Sequence, residues 1–574
     1  MLSHLSPKTA LLLLILTGLL LYFNSLFNGF IIGDDEDQLL HNQKVHSLIN
    51  LPQFFLGSTY YRPESGQSYG LYYRPLMQST YAFLYTLVGP DPIWYHLLQI
   101  SLHLTNTLLV YSLFRRFFSS TTAFFSALIF LVHPVNSETV LHVANLQEVL
   151  FLFFGLLALH SLVTTQKKSL NPLLLTGLLF LSLLAKETGF LFIALALIYC
   201  LVFARSHFSL VSRVGGLVLI SYTLLRFGIA RIGLGSQSIA PLAHSSLATR
   251  LLTLPQIITH YFTTFAFPQH LLIAQFWQVD NPTLLNFFLP LLLLIFLATL
   301  TIAFFRSLSS TSARHLFLFF LTWFLLTLIP HLNLIPLDVT VADRWFYLPL
   351  IGLIGLLTVI IHSLLSRFTQ TKLLLALVLT PWLILLTSRT FIRTFDWRDS
   401  LTLVSHDLKY SPGNYFLANN YATLLIRDKK FIEAKPYIEA SLQKYPYFGN
   451  LNNAAIIAIK DGNLPQAQAY FEQALALGQN YETYVNYANS LLYVFKDYQA
   501  TQTFAQKSLA LYPNSAPLWL VLAQAESQLN NHSAALEAAH QAFDLDPNDL
   551  TQAVLSAVKA NRPPEVEPYL DLPQ

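Results

Sequence analysis

The chain has 574 residues, of which 54 % are hydrophobic and 11 % are charged, and its formal net charge is +3. A mean hydropathy of +0.50 is too high for a soluble globular protein of this length. The small net charge gives no reason to expect nucleic acid as a partner, and a single cysteine, Cys200, excludes an intramolecular disulfide. The sequence therefore predicts an integral membrane protein.

Apolar segments recur along the first 390 residues at lengths that suit membrane-spanning helices. The first segment follows Lys8 and lacks a small-residue cleavage site, so we interpret it as a retained helix and not as a signal peptide. About eleven spans are predicted, of which 171–185 and 213–229 are the weakest. The predicted spans are 9–27, 93–114, 120–135, 145–164, 171–185, 189–204, 213–229, 284–305, 315–330, 345–362 and 373–390.

The distribution of charge predicts the orientation of these spans. With a cytoplasmic N-terminus, every short inner end carries basic residues, as membrane proteins favour. These residues are Lys8, Arg115, Arg116, Lys167, Lys168, Arg205, Arg213, Arg306, Arg314, Arg367 and Lys372. All carboxylates before residue 390 then lie on the outer side, and an odd number of spans places residues 391–574 in the periplasm, or in the lumen of a eukaryote. Few lysines and many glutamines and leucines favour a bacterial inner membrane.

The C-terminal third is predicted to be a helical repeat domain. Pro412, Pro446, Pro513 and Pro547 stand 34, 67 and 34 residues apart, and Asn480 fills the missing step. Small residues recur with the same period, which is the pattern of tetratricopeptide (TPR) repeats. We predict an all-α fold with a membrane domain at 1–391, a junction with a half repeat at 392–410, and a TPR α-solenoid of about four repeats at 411–574.

Five polar clusters lie between the predicted spans on the outer side. Arginine and lysine suit phosphate groups, and a carboxylate within hydrogen-bond reach can activate a hydroxyl as a nucleophile. Ionisable groups at membrane depth are costly, so their presence points to function. The combination indicates a sugar that is carried on a lipid phosphate and attacked by an acceptor hydroxyl. The clusters are GDDEDQ (33–38), YYRPLMQ (72–78), HPVNSETV (133–140), AKETG (185–189) and PHLNLIPLDVTVADRWFYLP (330–349).

These clusters, in this order and followed by the repeats, resemble the transmembrane and tetratricopeptide-repeat O-mannosyltransferases, and more broadly the GT-C glycosyltransferases. The resemblance covers nearly the whole chain. Asp343 stands where the family usually has glutamate, which keeps the charge but shortens the side chain. The matching stretches are Gly33–Asp35, Tyr73–Leu76, His133–Glu138, Lys186–Glu187 and Ala342–Pro349.

The resemblance implies a GT-C-like catalytic domain in residues 1–391, whose first outer loop covers about 28–92. It implies an inverting transfer of mannose or another hexose from a polyprenyl- or dolichyl-phosphate donor to an acceptor hydroxyl, with protein Ser or Thr as the expected acceptor. The repeats would bind the acceptor, and the sequence does not identify the sugar. No metal or other cofactor is predicted, although the acid run has the ligand type that a divalent cation prefers.

The resemblance also implies that an acid of the first outer loop is the catalytic base. We favour Asp34 as the base and Asp35 as the residue that tunes or positions it, because adjacent carboxylates repel each other. Arg74, Lys186 and Arg344 are predicted to bind the donor phosphate. The predicted supporting residues are His133, Glu138, Glu187, His331 and Asp343.

Three other functions remain open at the level of sequence. The acceptor of such an enzyme could be a lipid or a cell-surface glycan. A membrane-anchored TPR scaffold for envelope assembly would use the repeats and need the spans only as a tether, but about eleven spans are excessive for that purpose. A transporter should carry its ionisable groups near the middle of the membrane, whereas here they lie at one end of the spans.

Overall fold

The computed structural model describes residues 5–164, 170–235, 240–368 and 371–564. Within them the chain is helical apart from one two-stranded sheet, which confirms the predicted all-α class. The chain forms two compact units, which we call the membrane unit (Met1–Tyr60 with Tyr69–Leu403) and the repeat unit (Tyr61–Ser68 with Val404–Gln574). Lys167 and Lys168 lie outside the described residues.

The membrane unit contains most of the long apolar helices, and the helix Ser400–Tyr410 links it to the repeat unit. Its α-helices are Pro7–Tyr22, Pro75–Val88, Pro92–Phe114, Ser120–Val132, Ser137–Leu141, Leu146–Thr164, Pro172–Ala185, Phe190–Phe203, Phe208–Thr223, Pro241–His244, Leu247–Ala266, Leu289–Ser307, Thr311–Leu328, Tyr347–Arg367 and Thr371–Asp396. Several of them begin with a Ser, Asp or Asn side chain that accepts a backbone N–H, and some of these also have proline in the first turn. Both features are standard start signals.

Short helical turns connect these helices. They are Phe23–Phe27, Glu36–Leu40, Gln43–His46, Leu48–Phe55, Pro134–Asn136, Val143–Asn145, Glu187–Gly189, Arg205–His207, Leu224–Ile229, Leu284–Phe288, Ile329–His331 and Asp343–Phe346. The two strands, Tyr60–Arg62 and Gln67–Tyr69, form a hairpin. The predicted outer loop after the first span is therefore well structured, and it also contains the helix Pro75–Val88, which the sequence analysis did not predict.

Eight helices in the described part of the chain are long and apolar enough to cross a membrane, and a ninth is formed if the bent pair Ser120–Val132 and Pro134–Leu141 counts as one span. The protein is therefore an integral, multi-pass membrane protein. The eight are Pro7–Phe27, Pro92–Phe114, Val143–Thr164, Arg205–Ile229, Leu284–Ser307, Thr311–His331, Asp343–Arg367 and Leu373–Asp396.

Two of the predicted spans are too short to cross a membrane alone. The helices Pro172–Ala185 and Glu187–Phe203 are apolar but have no more than 17 residues. At 1.5 Å per residue they fall short of a hydrocarbon core about 30 Å thick. The predicted number of about eleven spans is therefore larger than the number that length and composition support, although every predicted segment is helical.

Gly352 marks a close crossing of two helices in the membrane unit. A Cβ at this position would lie 2.5 Å from the backbone nitrogen of Phe324. Small residues allow such contacts between membrane helices.

We expect Gly352→Ala to lower the free energy of unfolding by about 1–3 kcal/mol, because overpacking at a backbone contact forces the helices apart. The thermal unfolding of the purified protein in detergent measures this change. Gly177→Ala is the matched control, since a Cβ at Gly177 meets no atom within 4 Å. An equal melting temperature for wild type and Gly352→Ala would contradict the expectation.

The repeat unit is built from successive helix pairs, and each helix packs on the next. Asparagine, aspartate or serine caps the N-termini of several of these helices through side-chain acceptors. Small residues such as Ala434, Ala467 and Ala535 are fully buried, as close approach of paired helices requires. The helices are Tyr415–Arg427, Phe431–Lys444, Phe448–Lys460, Leu464–Leu477, Tyr481–Asn489 with the turn Ser490–Phe495, Tyr498–Leu509, Ala516–Gln528, His532–Leu545 and Asp549–Lys559.

The tip of the hairpin from the first loop belongs to the repeat unit. The backbone N–H of Asn514 donates to the carbonyl oxygen of Glu64 at 2.9 Å. The side chain of Asn514 donates to the carbonyl oxygen of Pro63 at 3.1 Å. Residues 61–68 therefore complete a unit whose other residues follow Leu403.

Candidate functional site

Three of the polar clusters share one local structure, in which an extended residue precedes a short 3-10 turn. The extended residues are His133, Lys186 and Ala342, with φ and ψ of −73° and 121°, −153° and 143°, and −138° and 137°. The turn interrupts the regular hydrogen bonding of a helix and leaves backbone N–H groups available. It also lets ionisable side chains leave the apolar surface of the neighbouring helices.

Asp35 is buried and connects the first outer loop to the segment 133–145 through hydrogen bonds. Its carboxylate accepts the backbone N–H of Ile31 at 2.8 Å and that of Ala144 at 2.6 Å. The Nε2 atom of His142 lies 3.3 Å from the same carboxylate. Burial raises the pKa of Asp35 above its ordinary value, although His142 and the two N–H donors act in the opposite direction. Both oxygens are engaged, so Asp35 is placed to hold the loop.

Asp34 differs from its neighbour, because it is exposed. Its Oδ1 atom accepts the phenol O–H of Tyr60 at 2.9 Å. Burial, and then the charge of Asp34, raise the pKa of Tyr60 well above its ordinary value, so the phenol keeps its proton and remains a donor. One carboxylate oxygen of Asp34 is thus anchored, and the group still faces solvent.

Two of the predicted phosphate-binding cations form ion pairs with buried carboxylates. The Nζ atom of Lys186 lies 2.5 Å from Oε1 of Glu148, and both side chains are buried. Arg344 pairs with Glu138 through its guanidinium group, and its backbone N–H also donates to Glu138 at 2.9 Å. Each pair fixes the direction of a long basic side chain.

The third predicted cation, Arg74, pairs with Glu187. Its Nε atom lies 3.3 Å from Oε2 of Glu187, and its guanidinium stacks 4.2 Å from the ring centre of Tyr72. The backbone N–H of Tyr73 donates to Oε1 of Glu187 at 2.8 Å. Glu187 therefore holds the YYRP segment in place.

These groups form one electrostatic cluster in the membrane unit. Lys186 is close enough to Arg74 and Arg344 for their positive charges to repel its own. Arg344 is in turn attracted by the negative charge of Asp34. The structure thus brings together the three predicted phosphate-binding cations and the favoured base, which come from segments more than 300 residues apart in the chain.

Four of the five predicted supporting residues lie at this cluster. Glu138 and Glu187 pair with Arg344 and Arg74, and His331 and Asp343 complete the set. His331 is buried, stacks on Trp345 with ring centres 5.3 Å apart, and interacts with Lys186 and Arg344. Asp343 is buried next to Arg344 in the same turn. Asp338 interacts with both Arg344 and Asp34, and burial raises its pKa above the ordinary value.

His133 has a different position. Its Nε2 atom contacts the carbonyl oxygen of Phe265 at 3.0 Å, and its Nδ1 atom accepts the backbone N–H of Val135 at 3.2 Å. The ring also stacks on Phe265. Both ring nitrogens are occupied by backbone groups, so His133 supports the bend between two helices and does not face the cations through these contacts.

Sequence reasoning did not assign a site role to Tyr60, Glu148, Arg226 or His142. Glu148 and Arg226 each lie inside a predicted span, and an ionisable residue within a span is itself a signal of function. That signal could have identified both. Tyr60 and His142 carry no such signal, because aromatic and histidine side chains are common near the ends of spans.

No group of three or more His, Cys, Asp or Glu side chains converges as metal ligands would in the described residues.

A chain of amide hydrogen bonds runs along the repeat unit. Asn486 donates to Asn452 at 3.1 Å, Asn452 to Asn453 at 3.4 Å, and Asn453 to Asn419 at 2.9 Å, each from its amide nitrogen to the next amide oxygen. The four residues lie on the first helices of three successive pairs. A primary amide has two N–H donors, and this chain uses one from Asn452 and one from Asn486. The repeats thus carry a neutral stripe of hydrogen-bonding groups.

The chain is similar in sequence to known mannosyltransferases. Residues 74–225 match the family described as dolichyl-phosphate-mannose-protein mannosyltransferase. The chain is 23 % identical to protein O-mannosyl-transferase TMTC3 of Homo sapiens, over 95 % of this chain and 69 % of the relative. It is 25 % identical to protein O-mannosyl-transferase F38B6.6 of Caenorhabditis elegans, over 72 % of this chain and 60 % of the relative.

Among solved structures, the chain is similar to the oligosaccharyltransferase of Archaeoglobus fulgidus. The TM-score is 0.39 and the sequence identity is 14 %, with 67 % of this chain and 56 % of that chain covered.

The comparisons of sequence confirm the predicted resemblance to the transmembrane and tetratricopeptide-repeat O-mannosyltransferases, and the predicted enzyme class, a membrane glycosyltransferase. The chain spans between 60 % and 69 % of the length of these two relatives.

Proposed function

We propose that this chain transfers mannose from a polyprenyl- or dolichyl-phosphate donor to a Ser or Thr hydroxyl of a protein, with inversion at the anomeric carbon. The observation that carries the proposal is the exposed carboxylate of Asp34, which is anchored by Tyr60 and interacts with Arg344 in a cluster of cations. The two relatives are protein O-mannosyl-transferases, which supports mannose as the sugar and a protein as the acceptor.

Asp34 acts as the general base in this proposal. Its free oxygen accepts the proton of the acceptor hydroxyl, and the hydroxyl oxygen attacks the anomeric carbon of the sugar. The bond between that carbon and the phosphate oxygen breaks, and the electron pair leaves with the lipid phosphate. Arg74, Lys186 and Arg344 stabilise the charge that develops on the phosphate. Asp35 holds the loop so that Asp34 faces the substrate.

The proposal includes a location. We place the N-terminus in the cytoplasm and both the reaction and the repeats on the outer side, in the periplasm of a bacterial inner membrane or in a lumen. The basic residues at one end of the spans support this orientation.

The experiment is a transfer assay with purified protein in detergent and radiolabelled polyprenyl-phosphate mannose. We expect label in a Ser- and Thr-containing peptide, with the anomeric configuration opposite to that of the donor. Label that appears only in lipid or glycan would show that the acceptor is not a protein. If no polyprenyl- or dolichyl-phosphate sugar reacts although the repeats bind peptide, the chain is a scaffold and the proposal is wrong.

The repeats bind the acceptor polypeptide in this proposal, and the amide stripe supports it. Asn486, at one end of the stripe, is half-buried and donates one N–H to Asn452, so its amide can also pair with a peptide backbone of any sequence. We expect Asn486→Ala to raise the KM for the acceptor about threefold to tenfold and to leave the KM for the donor unchanged.

Gln466→Ala is the control for this expectation, because Gln466 is an exposed residue on the second helix of the preceding pair. Measured acceptor KM values that are equal in wild type and Asn486→Ala would show that the stripe has only a structural role.

A further inference from the structure

Arg226 is a basic residue beside the candidate site, and the proposed mechanism does not use it. It lies in the apolar helix Arg205–Ile229, one position beyond the stretch that matches the mannosyltransferase family. Its side chain is more than nine-tenths buried. A charged group in such a place is costly to keep, so it points to a function.

The contacts of Arg226 hold it firmly beside Arg74. Its Nη2 atom donates to the carbonyl oxygen of Leu71 at 2.9 Å, and its Nη1 atom lies 3.7 Å from Oε1 of Glu187. Glu187 pairs through its other oxygen with Arg74. Two guanidinium groups therefore share one carboxylate, and Leu71 and Tyr72 contact one of them each.

Glu187 does not balance the combined charge of Arg74 and Arg226. Two arginines and one glutamate leave an excess of one positive charge, whereas Lys186 and Arg344 each have a carboxylate of their own. A sugar linked to a lipid through a phosphodiester carries one negative charge. The charge and the forked geometry of guanidinium groups both suit such a phosphate.

One donor of Arg226 is also without a partner. Its Nε atom is buried and makes no hydrogen bond within the described part of the chain. Buried donors are nearly always satisfied in folded proteins, so an unsatisfied one calls for a ligand. In addition, the helix Pro75–Val88 begins directly after Arg74, and the N-terminus of a helix favours anions.

We infer that Arg74 and Arg226 form a two-arginine clamp for the phosphate of the lipid-linked donor, and that Glu187 holds both guanidinium groups until the donor binds. This inference rests on the proposed function, because it names the phosphate site of that reaction. Arg226 is then a donor-binding residue that the family motifs do not include.

The test measures binding of undecaprenyl phosphate to the full-length protein in lipid nanodiscs, with the uncharged alcohol undecaprenol as the second probe. We expect Arg226→Gln to weaken the binding of undecaprenyl phosphate about tenfold or more and to leave the binding of undecaprenol unchanged. Arg226→Lys should recover only part of the affinity, because lysine lacks the planar fork. Arg213→Gln is the matched control, since Arg213 is exposed on the same helix.

Misfolding is separated from loss of the clamp by thermal unfolding of the same variants. Arg226→Gln leaves Arg74 and Glu187 as a charge-balanced pair. We therefore expect Arg226→Gln to melt close to the wild type and still to bind undecaprenyl phosphate weakly.

Equal affinity of wild type and Arg226→Gln for undecaprenyl phosphate would overturn the clamp. If the wild type binds this lipid in an Arg226-dependent manner but transfers no sugar, the clamp stands and the proposed transfer fails. If the wild type does not distinguish undecaprenyl phosphate from undecaprenol, both are wrong.

Discussion

Replacing Asp34 with asparagine is expected to lower the rate of sugar transfer by about 10²–10⁴-fold, the usual contribution of a general base. Asparagine keeps the size of the side chain and can still accept the hydrogen bond from Tyr60. It cannot take up the proton of the acceptor hydroxyl. We therefore expect kcat to fall while the affinity for the donor is retained. The measurement is the steady-state rate with radiolabelled donor, together with donor binding.

Asp91→Asn is the control for this prediction. Asp91 is an exposed acid of the same predicted outer loop, and it caps the helix that begins at Pro92 by accepting the N–H of Ile93. Asparagine caps helices as well as aspartate does, so this variant should keep full activity and stability. A fully active Asp34→Asn protein would exclude Asp34 as the base.

Asp35→Asn separates the two neighbouring acids. Asparagine offers one side-chain oxygen, whereas the carboxylate of Asp35 accepts N–H groups with both of its oxygens. We expect a lower melting temperature and a smaller loss of activity than for Asp34→Asn. Loss of activity without loss of stability in Asp35→Asn, beside an active Asp34→Asn, would move the base to Asp35.

Removing one partner of the buried pair between Lys186 and Glu148 is expected to have the largest effect on stability. Lys186→Met leaves the carboxylate of Glu148 buried and uncompensated, which costs about 3–5 kcal/mol in comparable pairs. Replacing both residues with methionine removes the charge altogether and should restore most of the stability. Thermal unfolding of the wild type, Lys186→Met, Glu148→Met and the double variant in detergent measures the coupling between the two side chains.

The pair between Lys435 and Asp461 provides the control. Its atoms are 2.7 Å apart, but both side chains are about half exposed. Because solvent screens such pairs, Lys435→Met should not change the melting temperature measurably. If Lys186→Met melts at the wild-type temperature, the stability does not depend on the pair, and water or lipid compensates the charge of Glu148.

The same double variant also tests the predicted role of Lys186 in binding the donor phosphate. Stability should return when both charges are removed, but affinity for the donor should not, if Lys186 contacts the phosphate. A double variant that binds donor as the wild type does would restrict Lys186 to a structural role.

The sequence predicts which segments form the candidate site, but it does not predict which side chains form ion pairs there. Lys186 and Glu187 were expected to lie together at the site, and they do, but they do not pair with each other. Lys186 is extended, so that its side chain and the next one point in different directions. Lys186 consequently pairs with Glu148, and Glu187 with Arg74. Such pairs, 38 and 113 residues apart, depend on helix packing that one sequence does not specify.

The spans were predictable for a different reason. Long apolar segments have few alternatives in a membrane, because every backbone group must find an internal partner. The helices Pro75–Val88 and Leu247–Ala266 were missed because polar side chains interrupt their apolar pattern. The hairpin at 60–69 was missed as well, since three-residue strands carry too little alternation to be recognised.

The contact of Asn514 with the hairpin tip limits how early the repeat unit can complete its folding during synthesis. The ribosome makes Pro63 at the beginning of the chain and Asn514 451 residues later. Contacts between residues so far apart slow folding, and domains usually form as units while the chain emerges. The repeat unit departs from that order, since it is not complete until Asn514 meets a segment made before nearly all of the spans. We therefore expect this contact to form only after residue 514 has left the ribosome.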